Sequence, residues 1–197
     1  MTLSFKFLLD QVLTTIRTPR DGAQWVKSIT MPRQSRWEAL ALFMVIGVVF
    51  NQITGFLMFG DFRIIMMGLV LNPITYAMIQ MAVLVIMVFA VFWIGRTMGG
   101  TGGFEDTILL VAWLQAIMTL LQVAQTIAIL LIPPLGIIVA IASFILFFWL
   151  LANFIAELHG FTSIPKVLGM ILISLIGLTF GMTILLSIIG ISMPGVV

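Results

Sequence analysis

The chain has 197 residues, of which 62% are hydrophobic and 8% charged, with a formal charge of +2 and no cysteine. A soluble domain carries roughly 25% charged residues, so a mean hydropathy of +1.27 excludes water as the principal solvent of this chain. The composition also excludes disulfides, thiolate metal sites and a cysteine nucleophile, and the small net charge leaves no electrostatic footprint for nucleic acid.

Nine of the charged residues lie before Ala39 and only seven in the remaining 159 residues. The spacing predicts an amphipathic helix over Leu3 to Arg17. Phe5, Leu8, Leu9, Val12, Leu13 and Ile16 follow helical apolar spacing, while Lys6, Asp10, Thr14 and Arg17 take the other side. Such a helix lies in the membrane interface. Lys6, Asp10 and Gln11 interrupt the place where a signal peptide would be apolar, so the N-terminus is expected to be retained. Pro19 ends the helix, a short segment around Gln24 to Thr30 places Trp25 and Lys27 at headgroup depth, and Met31-Pro32 breaks the chain again.

Five apolar runs follow, each near the roughly 20 residues a span needs. The expected spans are about 37–60, 74–95, 106–132, 135–157 and 167–189, with Arg36 and Trp37 anchoring the first at the interface. Ile64 to Leu71 is too short to cross and is expected to lie along the surface or to dip in and return. Only Pro133-Pro134 separates the third and fourth spans, which predicts a tight helical hairpin. The fold class is therefore all-α: a polytopic bundle of five transmembrane helices with an N-terminal interfacial helix. Residues 1–36 form the interfacial segment and 37–197 the spanning domain. Too little chain remains for a separate soluble catalytic domain.

Orientation follows from the cations. With the N-terminus in the cytoplasm, that side holds Lys6, Arg17, Arg20, Lys27, Arg33 and Arg36, then Arg96 and Lys166, eight in all, against Arg63 alone outside. An odd number of spans puts the C-terminus outside.

Four groups of residues are candidates for function. The loop containing Arg96, Gly99, Gly100, Gly102 and Gly103 stands before a helix N-terminus, where bare N–H groups can hold a phosphate or lipid headgroup. It lacks the phosphate-loop lysine, and Glu105 and Asp106 oppose an anion, so a structural turn letting the second and third spans pack closely is the preferred reading. His159, the single histidine, is read as part of a polar helix end capped by Gly160, with a pH response as the alternative. Gln115, Thr119, Gln122 and Thr126 form one polar face of the third span, read as interhelical glue rather than a transport path. Gly177 and Gly181 form a GxxxG pattern beside Thr179 and Thr183 on the fifth span, a candidate helix-association face inside the bundle or toward a partner. No Ser-His-Asp arrangement can be drawn, and neither cofactor nor metal is expected.

Gly99-Gly100-Thr101-Gly102-Gly103-Phe104-Glu105-Asp106, His159-Gly160-Phe161-Thr162, Arg17-Thr18-Pro19-Arg20-Asp21 and Met31-Pro32 through Trp37 resemble the punctuation of the Yip domain. That is the Ypt/Rab-GTPase-interacting protein family, here in its bacterial branch. The resemblance implies a helical membrane scaffold in a bacterial inner membrane. Eukaryotic members bind Rab GTPases in membrane traffic, partly through a long N-terminal region that is short here, so the Rab role is not carried over. The expected function is a non-enzymatic integral membrane scaffold or accessory protein. Its partners would be membrane lipids and another membrane protein or a second copy, with neither nucleic acid nor soluble substrate. The alternatives are a transporter or channel component using the polar face of the third span, and a lipid-headgroup-binding protein using Arg96 and the loop glycines.

Overall fold

The structure, a computed structural model, describes residues 5–59 and 73–188. Seven helices and no strand occur among the described residues: α1 (Phe5–Arg17), α2 (Pro19–Ser28), α3 (Arg33–Phe59), α4 (Pro73–Thr97), α5 (Phe104–Leu131), α6 (Pro133–His159) and α7 (Ile164–Ile188). The last five are long and apolar enough to cross a membrane, and the molecule is an integral membrane protein. The expected surface segment Ile64 to Leu71 lies outside the described residues, as does Arg63.

The helix boundaries follow local chemistry. Pro19 cannot donate to the preceding turn, yet it is well placed as the first residue of α2, so α1 and α2 meet at Thr18. α2 carries Asp21 in its first turn and Lys27 in its last, both favourable to the helix dipole, and it is longer than the segment expected around Gln24 to Thr30. Pro133 and Pro134 prove to be the first turn of α6 rather than a linker, leaving Ile132 as the single extended residue between α5 and α6. The hairpin is tight because Gly136 is buried against Ile129, where a Cβ would overlap the isoleucine side chain.

α5 is the axis of the bundle. It packs against α2, α3, α4 and α6, and 61% of its most apolar stretch is buried, against 28% or less in the other spans. Its buried residues run almost without interruption from Thr107 to Ile117. Leu40, Met44 and Val48 of α3 and Leu84 and Val88 of α4 meet one side of it. Leu150, Phe154 and Leu158 of α6 meet another. α7 packs mainly on α6, burying Val167 and Ile171 near its start and leaving most of its later length exposed.

α1 and α2 form a hairpin seated on the end of α5 and α6. Ala23 and Val26 of α2 are buried in the core shared with those two helices. Thr15 of α1 is fully buried, its side chain lies where a Cβ on Gly22 would be, and its hydroxyl accepts a hydrogen bond from Trp113 Nε1 at 3.2 Å. Trp25 stacks edge-on between Phe7 and Trp113. The inner edge of the amphipathic helix thus faces protein, while Leu13 stays exposed.

Candidate functional site

The polar groups converge at one end of the bundle, where the α1–α2 hairpin, the start of α3, the α4–α5 loop and the end of α6 meet. Two helices terminate here on left-handed glycines. Gly99 has φ +90°; its N–H donates to Arg96 O at 3.0 Å, and the Gly100 N–H donates to Gly95 O at 2.9 Å, the paired bonds of a Schellman ending. Gly160 has φ +76°, and the Phe161 N–H donates to Ala156 O at 2.8 Å.

His159 is held between these two endings. It is 2% exposed, and Gly160 caps α6 as expected. The Gly102 N–H donates to His159 Nδ1 at 3.2 Å. A backbone amide only donates, so the ring proton sits on Nε2, which lies 3.1 Å from the Val91 carbonyl and donates to it. The Thr101 N–H donates to the His159 carbonyl at 3.3 Å, and Phe161 stacks on the ring at 5.7 Å. A Cβ on Gly95, Gly100 or Gly102 would collide with the His159 side chain. The loop glycines therefore make room for an imidazole from α6, a more specific role than close packing of two neighbouring spans. In sequence the two features stand apart, and the solitary histidine beside a capping glycine was the available signal.

This arrangement also uses the loop's amides. The N–H groups of Gly99, Gly100, Thr101 and Gly102 all have acceptors inside the protein, so a headgroup at this loop would rely on side chains such as the exposed Arg96 rather than on bare backbone.

The cations of the N-terminal segment do local work. Lys27 Nζ donates to the Glu157 carbonyl at 3.2 Å and lies 3.5 Å from its carboxylate, so an ammonium sits on the negative end of α6. Arg20 donates to the Phe161 and Thr162 carbonyls at 3.5 and 3.4 Å. Arg36, expected as an interfacial anchor, is instead 9% exposed. It donates to Asp106 Oδ1 at 2.9 Å and to the Met31 carbonyl at 3.3 Å. The carboxylate in the first turn of α5 thus ties α3 to α5, in addition to complementing the helix dipole.

The polar face of α5 meets α3. A Cβ on Gly47 would stand 3.1 Å from both Gln115 Nε2 and Thr119 Oγ1, and Thr126 Oγ1 is 2.9 Å from Thr54 Oγ1. Asn153 donates to Trp149 O of its own helix. Gly177 and Gly181 are exposed on α7, and a Cβ on either would enter open space, so the small-residue face makes no close contact inside the described bundle. Among the described residues no cluster of three or more metal-ligating side chains occurs. An apolar void lined by Val91, Leu110, Phe154 and Leu158 measures about 10 Å³, near the lower limit for a single water.

These features define a polytopic helical membrane protein whose buried polar groups join one helix end to another. The sequence profile of the Yip1 domain matches residues 13–186, and the chain belongs to that family. No curated protein and no solved structure matches the chain.

Proposed function

We propose that this Yip1-domain protein is a non-enzymatic scaffold or accessory protein of a bacterial inner membrane. Its N-terminus would lie in the cytoplasm and its C-terminus outside, and it would associate with other membrane proteins or lipids. The observation that carries the reading is the use of the interior polar groups. His159, Arg36, Asp106, Thr15, Thr54 and Thr126 each bond another helix or a loop of the same chain, which supports a packing purpose over reactive chemistry. The α3–α5 seam is closed by the same kind of contact, which favours glue over conduction along Gln115, Thr119, Gln122 and Thr126.

The face offered to a partner is α7, with Gly177 and Gly181 side by side on its exposed length. Small residues at this spacing let a second helix approach closely. Cross-linking in native membranes followed by purification in mild detergent tests the assignment. The double change Gly177→Leu and Gly181→Leu is expected to abolish the cross-linked species; an unchanged pattern removes α7 as the association face.

A further inference from the structure

Phe104, the aromatic residue closing the glycine-rich loop, is the hub of a ring cluster contributed by three helices. Trp37 of α3 lies 6.3 Å from it, and Phe89 and Phe92 of α4 lie 5.2 and 5.3 Å away. Two arginines cover this cluster. The Arg33 guanidinium stands 5.6 Å from the Phe104 ring centre and the Arg96 guanidinium 5.5 Å from that of Phe92. Both side chains are exposed. The ion pairs among the described residues are Lys27 with Glu157 and Arg36 with Asp106, so neither Arg33 nor Arg96 is neutralised there, and the nearby Glu105 pairs with neither. A guanidinium packed against a ring keeps its N–H edges free for a planar, bidentate acceptor.

We infer that this platform is a binding site for an anionic phospholipid, with the phosphate taken by Arg33 and Arg96 and an acyl chain lying along α4. The placement supports a lipid over a soluble anion. Arg33 opens α3, Arg96 closes α4 and Phe104 opens α5, which puts the cations at the polar ends of spanning helices. Directly below them the exposed stripe Trp93, Phe89, Ile86 and Val83 runs down α4 at helical spacing. A phosphate at the arginines and a hydrocarbon chain on that stripe would occupy one continuous surface. Rings at this depth suit the boundary between headgroups and chains. The inference deepens the lipid side of the proposed function and rests on it only for the membrane setting.

The test is titration of the full-length protein in a nonionic detergent with phosphatidylglycerol or phosphatidylcholine, read by native mass spectrometry. Each cation near an anionic headgroup contributes about fivefold in affinity. Replacing both Arg33→Gln and Arg96→Gln is therefore expected to lower phosphatidylglycerol affinity by about thirtyfold, with a smaller loss for phosphatidylcholine, whose choline offsets the phosphate charge. The pair Lys6→Gln and Arg17→Gln removes the same charge from α1 and is expected to alter affinity by less than about twofold. Undiminished phosphatidylglycerol binding in the arginine pair overturns the site. An equal loss in both pairs also overturns it, by assigning the effect to diffuse charge. The four residues are exposed, and a monodisperse elution profile with wild-type helicity verifies folding. Failure leaves the α7 reading standing, because that is judged by a cross-linked protein partner.

Discussion

His159 shows how one side chain can organise the ends of three helices. Its ring is hydrogen-bonded at both nitrogens and fills the space left by three missing Cβ atoms. Substituting His159→Ala removes the ring and strands the Gly102 N–H, which is expected to cost about 2–4 kcal/mol. Gly95→Ala overfills the same space and is expected to cost about 1–3 kcal/mol. Because the second change acts by collision with the first residue, the double variant should be more stable than the sum of the two losses by at least about 0.5 kcal/mol. Unfolding in mixed micelles followed by circular dichroism measures all three. Strict additivity would remove the cradle as the reason for the glycine at 95. The glycine run and the histidine were both visible in the sequence, but their relation was not, since 57 positions separate Gly102 from His159 and no periodicity reports a contact across that distance.

At the scale of elements, hydropathy located every described span and missed mainly their polar ends. α3 begins at Arg33 rather than Trp37 because Arg36 is neutralised by Asp106 and Arg33 lies over Phe104, so a basic turn can continue the helix before its apolar stretch. The polar face of α5 was legible from helical spacing alone, and one of its residues, Thr126, meets Thr54 of α3. Hydrogen bonds between membrane helices average about 0.6 kcal/mol, so Thr54→Val with Thr126→Val is expected to lower stability by about that amount in the same assay. The docking of α2 was not legible: its acceptors are carbonyls at the end of α6, and a helix end gives no residue-type signal for the cation that will meet it. Lys27→Ala is expected to weaken the hinge between hairpin and bundle by about 1 kcal/mol, since the pair is partly exposed. That corresponds to roughly fivefold faster trypsin cleavage after Arg17 and Arg20 when cleavage follows brief opening. Unaltered cleavage would show that apolar burial of Ala23 and Val26 holds the hairpin alone.

For the whole molecule, the structure gives the charge count a physical location. α2 bonds to the end of α6, the start of α3 is paired with the start of α5, and the end of α4 packs against His159. The N-terminal cations, Arg96 and the start of the loop that leads to Lys166 therefore belong to one end of the bundle. By the positive-inside bias a single face with this excess of Lys and Arg is expected on the cytoplasmic side, and α7 would then carry the chain across once more. A phosphatase active only outside the cytoplasm is expected to be active when fused after Val197 and inactive when fused within the α6–α7 loop, with a fluorescent protein active only inside the cytoplasm giving the opposite pattern. Cytoplasmic activity at the C-terminal fusion would reverse the orientation. Cysteine labelling from either side provides a fusion-free check, since the chain has no native cysteine. A cysteine replacing the exposed Thr162 in the α6–α7 loop should be protected from an impermeant maleimide in intact cells and react once the membrane is opened.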